Sequence, residues 1–153
     1  MKILYFVVWF FNLALYEGHK HGAPNKSCHK MIPQHHHIKF DGRGASLKIN
    51  AIDENKVEIT IETEPGKPFK GFILQGRNED NKIIGKFLPA EDYKMMTCDD
   101  EYGNSITHRN AHHKSQIKAQ WIAQEAVRNV TFKAVIVFHY KQAQKLQHLH
   151  TLN

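Results

Sequence analysis

The residues of this chain with the most chemical potential are its histidines and cysteines. Five of the twelve histidines and one of the two cysteines fall within "HGAPNKSCHKMIPQHHH" (21–37). Neutral imidazoles hold zinc or copper when three or four converge on one ion. In "QHHHIK" an extended backbone alternates its side chains, so His35 and His37 can share a face that His36 cannot. "THRNAHH" offers His108 and His112, four residues apart in a stretch that otherwise reads as turns. A link between Cys28 and Cys98 would draw the two groups closer together. The main expectation is surface histidines with no common ligand. Zinc or copper bound by His35, His37, His108 and His112 is the alternative. Cleavage after Glu17 or Gly18 would also leave a free amine beside a histidine, a Cu(II)-chelating arrangement.

Other chemistry finds little to work with. There is no G-x-S-x-G context, no Gly-rich phosphate loop and no C-x-x-C pair. "DDE" (99–101) and "GRG" (42–44) read as solvated turns, with calcium at the former a remote option. The expectation is a protein that binds rather than catalyses, with no cofactor.

Compartment follows from the first residues, "MKILYFVVWFFNLALYEG". One lysine precedes an apolar run of about 12 residues, too short for the ~20 needed to span a bilayer. Residues 1–18 are therefore expected to be a secretory signal cut near Gly18, and no other run of spanning length follows. In the oxidising compartment this implies, Cys28 and Cys98 are expected to form one disulfide. Closing some 70 residues, it would add roughly 4 kcal/mol in the chain-entropy picture. "NKS" at Asn25 and "NVT" at Asn129 are glycosylation sequons.

The formal charge is +6, and losing Lys2 and Glu17 with the signal leaves it unchanged. A basic secreted protein favours anionic partners. Phosphorylated glycolipids, teichoic-type polymers, sulfated glycans or nucleic acid are partners of that kind. Candidate contacts are Lys67, Lys70, Arg77, Lys82 and Lys86 around the middle of the chain, with Arg109, Lys114 and Lys118 further on.

The elements that must position these residues are strands. "SLKINAI" (46–52) and "VEITIETE" (57–64) alternate apolar and polar, as half-buried strands do. "FKGFILQGR" (69–77) is a third, its Gly71 and Gly76 marking a bulge or a close backbone approach. "KIIGKFL" (82–88) could return as its hairpin partner. "FLPAEDYKMM" carries a weak helical pattern, and 97–115 reads as loop or short irregular strands. "QIKAQWIA" (116–123) and "VTFKAVIVFHY" (130–140) complete the set, the last apolar on both faces and so central. Residues 19–140 form one domain; 141–153 is a tail without an assigned element. Six or more strands at this spacing predict an all-β antiparallel sandwich, expected to be monomeric.

Four blocks in order carry a family resemblance. "HGAPNKSCHKMIPQHH" has Gly-Ala-Pro followed by Cys, Met, Pro and His. "FKGFILQGRNEDNKIIGKF" has Phe-x-Gly-Phe leading to Arg and Gly-x-Phe. "TCDDEYGNSITHRNAHHKSQIKAQWIA" has Cys, Thr-His and a Trp before Ala, and "VTFKAVIVFHY" is the strand that follows. Together they resemble the reeler domain, and a reeler domain alone behind a signal resembles small secreted insect defence proteins. The resemblance implies an immunoglobulin-like sandwich, a Cys28–Cys98 disulfide, and a non-enzymatic role in recognising microbial surfaces and aggregating blood cells. Of the histidines in the first block, only His35 falls where the family pattern has one. The family's Pro after Trp-Ala and its final Trp-bearing aromatic strand are missing; "WIAQ" and "KQAQKLQHLH" stand there instead.

Overall fold

The alternation of "VEITIETE" is built as read: Val57, Ile59 and Ile61 are fully buried, and the residues between them face outward. The computed structural model describes residues 19–35 and 37–152; the expected signal segment, His36 and Asn153 lie outside them. Among the described residues, nine strands follow in chain order: β1 Ala45–Asp53, β2 Lys56–Thr63, β3 Gly71–Arg77, β4 Lys86–Phe87, β5 Tyr93–Cys98, β6 Glu101–His108, β7 Gln116–Ile122, β8 Asn129–His139 and β9 Gln142–Thr151. They make two antiparallel sheets, ordered β1-β2-β7-β4 and β5-β6-β3-β8-β9. This is the expected all-β, immunoglobulin-like sandwich.

The core lies between the sheets. Val57, Ile59, Ile61, Ile117 and Trp121 meet Phe72, Leu74, Ile106, Phe132 and Ile136. Burying each such side chain contributes roughly 1.5–3 kcal/mol relative to leaving it exposed. Trp121 stands edge-on to Phe132, ring centroids 5.1 Å apart, and its Nε1–H donates to the Ile84 carbonyl at 3.2 Å. Gly85 passes against this ring at φ +69°, where an added Cβ would lie 2.0 Å from the indole. The buried Tyr93 donates its hydroxyl to the Leu88 carbonyl, closing the turn before β5.

Four sequence expectations change. Residues 82–88 begin as a hairpin after β3, with the Ile84 N–H on the Gly76 carbonyl at 2.9 Å. They then cross to the other sheet, where β4 pairs with β7. "FLPAEDYKMM" is no helix, since its second half is β5. The polar stretch after Cys98 holds a full strand, β6, between β5 and β3. Its polarity misleads because Asn104, Ser105 and Thr107 are buried within the fold's own hydrogen bonds. Finally, 142–151 is β9, paired along the whole of β8. Its alternation was hidden by glutamine and histidine in place of apolar residues.

β3 and β8 are covered on both faces. A second cluster, formed by Cys28, Met31, Ile73, Met96, Cys98, Val135 and Ala143, lies outside the five-stranded sheet. The N-terminal segment covers it as a strap.

Candidate functional site

The strap is pinned to the sheet at several points. Cys28 and Cys98 are joined, their Cα atoms 5.8 Å apart, as the sequence predicts. Ala23 N–H donates to Thr107 Oγ1 at 3.0 Å. Further along, Lys39 and Gly42 bond across to the start of β9. Between these pins, Gln75 and Arg77, both buried, reach up from the outer face of β3. Gln75 Nε2 donates to the Cys28 carbonyl at 3.0 Å. Arg77 donates to the carbonyls of Cys28 (2.8 Å), His29 (3.1 Å) and Asn81 (3.1 Å) and to Gln75 Oε1. Carbonyl dipoles thus replace the water that this guanidinium loses, although burial pulls its pKa down. Arg77 is therefore a correction to the list of surface cations: it is buried, and its nitrogens are committed to the strap, Gln75 and Asn81.

Two depressions flank the strap and share Met31 and Val135 as walls. The first is an apolar cavity of about 380 Å³ floored by Phe72, Ile73, Val135 and Val137, with Ile32 and Pro33 from the strap. His19, Lys20, His35, Lys70, His108 and His139 line it too, and among the described residues no carboxylate does. Ser27, 4% exposed, also lines it, and its hydroxyl has no hydrogen-bond partner. The second depression, about 310 Å³, is cationic: Lys30, Arg77, Lys133 and Lys145 line it beside His29, again without a carboxylate among the described residues. Lys133 Nζ donates to Asn81 Oδ1 at 2.8 Å, and Lys145 Nζ lies 4.3 Å over the Phe40 ring. At its edge His29 pairs with Asp99 at 3.0 Å.

Lys30, Lys133 and Lys145 were not among the expected contacts. Lys145 sits opposite Val135 across β8 and β9, one outward position along from Lys133, so only the pairing of the unassigned tail reveals the cluster. The residues that were expected are dispersed. Lys118 faces outward on β7 of the other sheet, and Lys86 is half-buried on β4. Lys67 is held by Glu64 at 2.7 Å, and Lys82 is exposed in the loop after β3. Arg109 donates to the Tyr93 carbonyl at 3.0 Å. Lys114 is spent inside its own loop, donating to the carbonyls of Asn110 and His112 at 2.7 Å each, and burial lowers its pKa. Of the eight, only Lys70 and Arg77 line either depression.

His108 is structural as well. Its Nδ1 accepts from the Phe72 N–H at 3.2 Å, which leaves Nε2–H to donate to the His19 carbonyl at 2.9 Å. Gly71 makes room for the ring, since an added Cβ would lie 3.0 Å from it. Burial, partly opposed by hydrogen bonds to the backbone, lowers its pKa. His35 is half-buried beside His19 and lowered by burial first, then by that neighbour. His37 and His112 are exposed. Among the described residues no three His, Cys, Asp or Glu side chains are grouped as a metal site requires. No three of His35, His37, His108 and His112 are brought together in this structure.

Asn25 is exposed in a short 3-10 turn, while Asn129 opens β8 and bonds Glu79 and Thr151. Asp99 and Asp100, both at positive φ, make the two-residue turn between β5 and β6. No helix among the described residues is long and apolar enough to cross a membrane.

Comparison with known proteins agrees with this architecture. A protein of Antheraea mylitta named as a defence protein is 32% identical, the match covering 92% of this chain and 90% of that one. Human ferric-chelate reductase 1 is also 32% identical over 81% of the chain, but the chain spans only 22% of its length. The crystal structure of the human F-spondin reeler domain superposes with a TM-score of 0.60 at 18% identity, over 81% of this chain and 99% of that domain. The reeler domain profile itself matches residues 26–142. With those residues running from the strap through β8, the chain belongs to the reeler domain family.

Proposed function

We propose that this chain is a secreted, non-enzymatic defence protein that binds anionic microbial surface polymers or glycolipids through the cationic cleft beside the strap. The observation that carries this reading is the cluster of Lys30, Lys133 and Lys145, beside the buried Arg77, around one depression with no carboxylate among its described lining residues. Several cations around one cleft suit repeated phosphate or carboxylate groups, and Lys30 and Lys145 are exposed enough to meet them. The relative that matches over nine-tenths of its own length is named as a defence protein, which supports the same reading. Capture of microbial surfaces by such a protein would lead on to aggregation of blood cells around them. The ferric reductase match concerns about a fifth of that enzyme, and the activity of the whole is not carried over.

Binding to immobilised lipoteichoic acid, a phosphate-rich polymer, tests this. The double variant Lys133→Ala/Lys145→Ala is expected to weaken binding at least tenfold, while Lys118→Ala on the other sheet leaves it unchanged. Wild-type affinity should fall as salt rises. Binding that ignores both the double variant and the salt would overturn the proposal.

A further inference from the structure

The apolar cavity is a separate feature with a separate chemistry. At about 380 Å³ it falls at the small end of the ~300–1,000 Å³ typical of small-molecule sites. Its floor is the outer face of β3 and β8, and its roof is held by the disulfide and the Arg77 bonds, so it is formed in advance rather than opened by a ligand. Its charged groups are uniform in sign among the described residues: Lys20 and Lys70 are exposed at its edge, the imidazoles of His19, His35, His108 and His139 join them, and no described Asp or Glu lines it. The Ser27 hydroxyl is buried there without a partner, a state that costs about 1–3 kcal/mol until an acceptor arrives.

We propose that this cavity binds a single-chain carboxylate amphiphile of medium length, the class of the free fatty acids. The tail lies on Ile73, Val135 and Val137 beneath Met31 and Ile32. The carboxylate takes the Ser27 hydroxyl and the Lys20 and Lys70 charges as its donors. A neutral chain would use the apolar floor but leave the cations without a partner. Recognition here does not depend on polymer binding in the cationic cleft.

The test is calorimetric titration of the disulfide-bonded protein with decanoate and with 1-decanol. Decanoate is expected to bind one per chain, with a negative heat-capacity change, and at least fivefold more tightly than the alcohol. Ser27→Ala should weaken decanoate about 3–10-fold, the worth of one hydrogen bond, without lowering the melting temperature. Lys20→Ala/Lys70→Ala should remove the preference over decanol. Val137→Trp, which fills the cavity, should abolish binding; should it not fold, Ser27→Ala decides. Lys133→Ala/Lys145→Ala should leave decanoate affinity unchanged, which separates this site from the cleft. Failure of the wild type to bind decanoate, or affinity indifferent to Ser27→Ala, would overturn the proposal.

Discussion

The two sheets of the sandwich have the same inner face and opposite outer ones. Outside the four-stranded sheet, Lys48, Glu58, Glu62 and Lys118 alternate with core residues and face solvent, with Lys48 and Glu62 in an ion pair. That pairing with Lys48 draws the Glu62 pKa down. Outside the five-stranded sheet, all seven residues of β3 are buried, Gln75 and Arg77 among them. One face is finished by water, the other by the chain's own N-terminal strap. The difference shows where binding belongs. On the solvated face, charges of both signs alternate, whereas a strap over a sheet leaves gaps at its edges, and both depressions are such gaps.

Breaking the strap should separate the faces most sharply. Replacing Cys28 and Cys98 by serine is expected to lower stability by about 4 kcal/mol. It should also release the strap, so that decanoate and lipoteichoic acid binding are lost together. Denaturant unfolding of oxidised and variant protein measures the first, and titration the second. Retained binding would show that the disulfide is not what holds the two depressions. Arg77→Ala comes next, at about 3 kcal/mol, because it strips donors from the buried Cys28 carbonyl and the part-buried His29 carbonyl. Lys118→Ala, an equal charge change on the solvated face, should stay within about 0.5 kcal/mol. Equal effects of the two would erase the contrast between faces.

The smallest effect concerns pH. Folding holds His108 neutral below its ordinary pKa, chiefly through burial, and burial lowers His35 in the same direction. As pH falls through about 6.5 the unfolded chain takes up these protons first. Stability therefore declines below that point, until the folded pKa values are passed. His108→Gln should flatten the decline relative to wild type in unfolding curves taken from pH 7.5 downward. A slope unchanged by the substitution would assign the titration to other groups.

Much of the scaffold was legible residue by residue. β1, β2, β7 and β8 follow from their alternation or continuous apolarity, and the two cysteines from the compartment that the first residues suggest. β6 and β9 were not, because Asn104, Ser105 and Thr107 are polar yet buried, and β9 meets β8 through Gln144 and His148 as well as Leu146. Arg77 was legible as a cation and illegible as a buried clamp, since its burial depends on a strap some 48 residues earlier in sequence.

By itself the sequence determined the class of fold, the disulfide and an excess of positive charge, because strand periodicity, cysteine number and net charge are local or summed properties. Which cations share a cleft, which histidine loses both ring nitrogens to the backbone, and which serine is buried without a partner were decided by tertiary structure alone. Each depends on strand register and on one segment lying across another, and pairings between distant residues leave no trace in any short window of the chain.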